Sequence, residues 1–222
     1  MYRSVSYVRI FTQLATEMYI VFEGVVWTWK TTQSKRLAGY LQEKYPDKQV
    51  IRVREPGTGE IADAIRTLVQ WTEFGEQMDP LCEAYLYAAS RAQLIMTRIL
   101  PTLEQGGIVV CDRNVSSALS YQGYAKWAGM ETVRSLNREV VEKRLPDMTL
   151  YMDLPIEEGL ARTFDAAGDK HEREWTDFFE RVAEGYRHIA QRERFKDKRH
   201  IVDARWTQDE VFERVVALVD NS

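Results

Sequence analysis

Five short apolar runs rich in β-branched residues alternate with longer stretches of helical period, and that alternation limits the chain to parallel βα units. The runs are Tyr19–Phe22, Val50–Val53, Ile108–Cys111, Thr149–Met152 and His200–Val202. The first, third and fourth are apolar on both faces, as strands covered by helices on each side require. Helical patterns fall at Thr31–Glu43, Glu131–Lys143, Ile156–Thr163, Trp175–Arg192 and Thr207–Leu218, and as one long helix to about Glu104. Asp79-Pro80 opens the long helix with an N-cap and a proline at the first helical position. The 222 residues suit one such domain and carry no repeat or linker. The expected architecture is α/β, a three-layer doubly wound parallel sheet.

Charge narrows the partners. Acids outnumber bases 34 to 30, so the chain lacks the surplus cations that sequence-independent binding to nucleic acid needs. A local basic pocket can still hold a small phosphorylated ligand. Cys82 and Cys111 have neither metal-type spacing nor the number for a disulfide framework. They are read as reduced core residues of a cytoplasmic protein. No apolar run approaches a membrane span, so no membrane partner is expected. Residues 1–17 lack the unbroken apolar centre of a signal peptide and are set apart as an N-terminal extension to a domain over 18–222.

The segment Tyr19–Gln33 concentrates the chemistry. A strand runs into Gly24, and five residues later Lys30-Thr31 opens a helix. This is the frame of a phosphate-binding loop, in which backbone N–H groups and a helix N-terminus surround phosphates, lysine neutralises charge and a hydroxyl holds Mg2+. Val26, Trp27 and Trp29 break the pattern, and a bulky residue where glycine takes a positive φ costs about 1–3 kcal/mol. Arg54-Glu55-Pro56-Gly57-Thr58 follows the second strand and Asp112-Arg113 the third. Both lie at carboxyl ends, where open α/β sheets bind ligands. The run Asp165–Glu174 is charged and poor in apolar residues, read either as a solvated loop or as a lid over a phosphate site.

With these residues in view, the chain from about Met18 resembles the thymidylate kinases of the P-loop nucleoside monophosphate kinase family. The matching segments are FEG…KTTQ, REPG, LYAASRAQ, PTLEQGGIVVCDR, SSALSYQG, DLP and FFERVAEGY. The resemblance implies a five-stranded parallel sheet of P-loop NTPase type with a short lid, a homodimer, and transfer of the ATP γ-phosphoryl group to dTMP for DNA precursor synthesis, with Mg2+ as cofactor. It implies that Gly24, Lys30, Thr31 and Thr32 bind ATP, and that Thr31 and Asp112 serve the metal. Arg54 and Arg113 would hold the dTMP phosphate, Tyr87 would stack on thymine, and Arg91 and Gln122 would read the base. Tyr121 would lie against the deoxyribose, with Glu55 and Ser117 completing the substrate set. Lys30, Asp112, Arg113, Arg162 and Lys170 are the expected catalytic residues, the last two from the lid side. The altered loop leaves a second reading open, a catalytically impaired or engineered homologue that binds a nucleoside monophosphate without efficient use of ATP.

Overall fold

The computed structural model describes residues 17–71, 74–161, 170–190 and 198–222. The N-terminal extension up to residue 16, Arg162, and residues 165–169 of the proposed lid lie outside them. Five strands, β1 (Met18–Glu23), β2 (Val50–Arg54), β3 (Ile108–Asp112), β4 (Met148–Asp153) and β5 (Arg199–Asp203), form one parallel sheet in the order β2-β3-β1-β4-β5. All five expected runs are strands. Register aligns Phe22 of β1 with Asp112 of β3, and Arg54 of β2 with the same Asp112. The carboxyl ends of three neighbouring strands therefore finish level, and polar residues that leave them meet at one edge.

Period-two alternation divides the core into two layers. Ile20 and Phe22 face α1 (Lys30–Lys44) and α9 (Gln208–Asp220), packing with Leu37, Leu41, Val211 and Val215. Tyr19 and Val21 face the other way, toward Leu94, Ile95 and Ile99. These last three belong to the long helix, which is α-helical over α3 (Pro80–Leu94), π-helical over Ile95–Ile99 and α-helical again over α4 (Leu100–Glu104). Pro101 explains the interruption. It has no N–H to return to the preceding turn, and the Leu100 N–H bonds Ile95 O one residue further back than in an α-helix. Asp79 caps α3 as expected, its side chain accepting from Leu81 N and Cys82 N.

Two helical stretches were not expected. α2 (Glu60–Gln70) follows the REPG loop, and α5 (Val115–Ala118) continues into a second π-helical segment over Leu119–Ala125. The remaining helices are α6 (Met130–Val141), α7 (Ile156–Ala161) and α8 (Lys170–Ala190). α8 begins five residues before the expected Trp175, so Lys170–Glu174 of the charged run are helical. Cys111 is buried on β3, but Cys82 is exposed on α3 and is no core residue, a correction to the reading above. No described helix is long and apolar enough to cross a membrane.

Candidate active site

A cavity of about 510 Å3 opens at the carboxyl edge of β1, β2 and β3. The loop from Val26 to Thr32 forms one wall; Arg54, Glu55, Tyr87, Arg91, Asp112, Arg113, Ser117, Tyr121 and Gln122 line the rest. Of the expected residues, Lys30, Thr31, Thr32, Arg54, Glu55, Tyr87, Arg91, Asp112, Arg113, Ser117, Tyr121 and Gln122 thus line one space; the Lys170 side chain, at the head of α8, lies outside what the structure describes. Gly24 sits just behind that space, at φ +134°, where an added Cβ would lie 2.4 Å from Met152 O. No other residue fits there, because both the backbone angle and the space exclude a side chain.

The loop keeps its curvature despite two indoles. Trp27 and Trp29 take φ values of +65° and +61°, as the glycines of a phosphate loop would. Packing against neighbouring helices offsets part of that strain for Trp27. Its ring meets Phe179 of α8 edge-on at 4.9 Å, and an added methyl on Gly159 of α7 would come within 3.1 Å of it. Inside the loop, the Lys30 ammonium donates to Val25 O and, at 2.9 Å, to Thr28 Oγ1. Burial, and next the Arg113 cation, push the Lys30 ammonium well below its ordinary value. The loop's own carbonyl and hydroxyl oxygens thus hold the Lys30 ammonium.

The Thr31 hydroxyl donates to Asp112 Oδ2 at 2.7 Å. A hydroxyl and a carboxylate adjoining a phosphate loop are the hard oxygen donors that suit Mg2+, which takes few protein ligands and completes its shell with water and phosphate oxygens. The residues present fit that ion. Arg52 also reaches Asp112 Oδ2, at 3.3 Å, and bonds Ser34 Oγ at 2.9 Å.

On the opposite wall, Arg91 is buried and doubly engaged. Its Nε donates to Glu55 Oε2 and its Nη1 to Asn137 Oδ1, both at 2.6 Å. Glu55 Oε1 is buried with no hydrogen-bond partner among the described residues. Burial outweighs the Arg91 cation and pushes the Glu55 carboxyl up to about 7. Gln122 donates to Glu83 Oε1 at 2.9 Å and Lys126 pairs with Glu83 Oε2 at 2.6 Å, so the amide is fixed before any base arrives. Burial, then Glu83, push the Tyr87 phenol up to about 12. The Tyr121 ring lies 5.3 Å beneath the Arg113 guanidinium. Arg54 pairs with Asp63 at 3.7 Å, both side chains about half exposed, and so can turn to a ligand.

A family model described as thymidylate kinase matches residues 22–215. The chain belongs to the thymidylate kinase family. A thymidylate kinase of Bacillus mycoides is 36% identical over 207 residues, covering 92% of this chain and 97% of its own. One from Bacillus cereus strain B4264 is equally similar, with the same coverage. The crystal structure of the thymidylate kinase of Ehrlichia chaffeensis superposes with a TM-score of 0.75 at 28% identity, covering 92% of this chain and 99% of that one.

Within that family frame, sequence reasoning overlooked four participants. Arg66 and Gln70 of α2 line the cavity, and Arg66 donates to Pro56 O at 3.0 Å. Glu23 and Tyr186 lie behind Arg113, where Tyr186 donates to Glu23 Oε2 at 3.0 Å. A carboxylate closing a run of four buried apolar residues was a legible signal for Glu23. The amphipathic repeat EIADAIRTLVQ was one for α2.

Proposed function

We propose that the protein transfers the γ-phosphoryl group of ATP to dTMP, giving ADP and dTDP for DNA precursor synthesis. The observation that carries the reading is the single cavity into which Lys30 and Thr31 face from one side and Arg113, Tyr87 and Arg91 from the other. That layout suits a donor and an acceptor phosphate meeting in the middle. Lys30 exchanges its loop contacts for the β- and γ-phosphates, and backbone N–H groups with Thr32 cradle them at the start of α1. Thr31 and Asp112 would hold Mg2+, which would supply charge neutralisation on the phosphates. Arg54 and Arg113 grip the acceptor phosphate with planar, fork-shaped donors. Tyr87 stacks on the base, Gln122 and Arg91 address its polar edge, Glu55 sets Arg91, and Tyr121 with Ser117 borders the sugar and phosphate. An acceptor oxygen then attacks the γ-phosphorus in line as the bond to ADP breaks. Positioning and charge stabilisation carry the rate, with no covalent enzyme intermediate. The lid side, with Arg162 and with Lys170 at the head of α8, supplies further cations to the transferring group.

A second copy of the chain is the proposed protein partner. Ile61 and Leu68 share one face of α2, Leu81 and Tyr85 one face of α3, and all four are exposed, as are Trp71, Phe74 and Met96; α2 and α3 pack on each other. Exposed large apolar side chains on two packed helices suit an interface.

ADP release in the presence of dTMP, ATP and Mg2+ tests the catalytic reading. Turnover of roughly 1 s⁻¹ or more, within the ordinary enzyme range, is expected of the unmodified chain. Turnover confined to a Val26→Asp, Trp27→Gly, Trp29→Gly variant would instead identify a monophosphate-binding homologue without efficient use of ATP. Silence in both would overturn the kinase reading.

A further inference from the structure

Arg113 occupies a left-handed backbone position, φ +75°, which a non-glycine residue holds only when its surroundings enforce it. Much of that enforcement comes from one carboxylate. Glu23 ends β1 fully buried, and among the described residues it is not one that lines the cavity. Its Oε1 accepts from the backbone N–H groups of Asn114 at 2.9 Å and Ser117 at 3.1 Å, fixing the turn directly after Arg113. Its Oε2 accepts from the Ser117 hydroxyl at 2.6 Å and the Tyr186 hydroxyl at 3.0 Å. Arg113 Nη1 in turn donates to Ser117 Oγ at 3.1 Å, Gly24 O at 3.2 Å and the Tyr186 oxygen at 3.4 Å.

Proton bookkeeping gives this network a direction. An ionised carboxylate only accepts, so the Ser117 proton points to Glu23, and the Tyr186 proton points there directly or through Ser117, 2.7 Å away. The hydroxyl lone pairs are left for the guanidinium. A neutral or donating group at position 23 would release both hydroxyls to turn their protons toward Arg113. Tyr186 belongs to α8, so the same carboxylate ties three elements, β1, the β3–α5 corner and α8, around one arginine.

We infer that Glu23 is the positioning residue for Arg113, with Tyr186 as its tie to α8, and that together they set affinity for the acceptor phosphate rather than for the donor. The inference rests on the proposed placement of the dTMP phosphate at Arg113.

The experiment compares Tyr186→Phe and Glu23→Gln with the unmodified chain, reading KM for dTMP and for ATP, kcat, dTMP Kd by calorimetry and thermal midpoint. Tyr186→Phe removes one hydroxyl from a packed ring and should raise dTMP Kd and KM about fivefold, the worth of one hydrogen bond. ATP KM should stay within about twofold. Glu23→Gln should raise them about tenfold or more. Because the effect passes through Arg113, Tyr186→Phe should change dTMP Kd by less than about twofold in an Arg113→Ala background.

Equal rises in both KM values, or a full Tyr186→Phe effect without Arg113, would overturn the inference, since a general loosening of the fold predicts those results. Variants that bind dTMP as tightly as the unmodified chain would also overturn it while leaving the kinase reading intact. An unmodified chain that neither binds nor phosphorylates dTMP would overturn both. Should Glu23→Gln fail to fold, the Tyr186–Arg113 cycle decides alone.

Discussion

Arg91 and Glu55 form the most buried ion pair among the described residues, 2% and 3% exposed, and the spare oxygen of Glu55 makes the pair sensitive to pH. Since the folded protein raises this carboxyl from 4.5 to about 7, it retains a proton that the unfolded chain releases between those values. Stability therefore falls as pH rises through that window, by at most about 1.4 kcal/mol per pH unit from this group, and the change is complete above it. Glu55→Gln cannot ionise and removes the slope. Urea unfolding at three values across the window tests this: the unmodified chain should lose stability relative to the variant as pH rises, so the gap between them changes. A constant gap would place the shift elsewhere. At this scale the sequence was informative wherever a side chain left the end of a strand. Lys30, Asp112 and Arg113 were legible because polar residues after an apolar run have few other places to go. Glu23 carried a local signal as the carboxylate closing an apolar run, but its partner Tyr186 did not, because the pair spans 163 positions and no local pattern links them.

Elements were legible where period and punctuation agreed. The capping signal at Asp79 and the apolar runs of the sheet are of this kind, each set by local chemistry. α2 carried an amphipathic period but no start signal: it follows Gly57, Thr58 and Gly59, all three with positive φ. The helix then starts without a conventional N-cap. Asp63, inside the helix, takes over instead, accepting from Thr58 N and Gly59 N at 3.1 Å each. Asp63→Ala should cost about 1 kcal/mol, as the loss of a side-chain cap does, read as a lower urea midpoint with an unchanged slope. No change would mean that water serves those N–H groups equally well. The π-helical segment Leu119–Ala125 escaped notice for a different reason. It differs from an α-helix by a shift in bonding register, which composition does not encode. It nevertheless decides how Tyr121 and Gln122 are presented to the cavity.

For the whole molecule, the parallel sheet and the edge that bears the site followed from the order of strands and helices, since parallel strands need crossovers and crossovers bring carboxyl ends together. What surface the molecule offers to others was less legible, because exposed apolar residues stand out only once the fold shows which ones the core has left. Ile61, Leu68, Leu81 and Tyr85 are between 40% and 57% exposed, and pairing of two copies through α2 and α3 would cover them. Sedimentation equilibrium should then give about twice 25.9 kDa, and Tyr85→Glu should shift the chain toward the single mass, because a charge in the core of an interface is left unpaired. A single mass for the unmodified chain at all concentrations would remove the second copy from the account. Trp27 joins the phosphate loop to the same global scale, since its ring is seated against Gly159 and Phe179. Of the six indoles in the chain, Trp71, Trp127 and Trp206 stand in solvent. The loop cannot draw away from α7 and α8 without carrying Trp27 from a packed environment into a wetter one. The molecule thus has a built-in optical gauge, in which the colour of tryptophan emission registers how far the loop has parted from those helices, with no label attached.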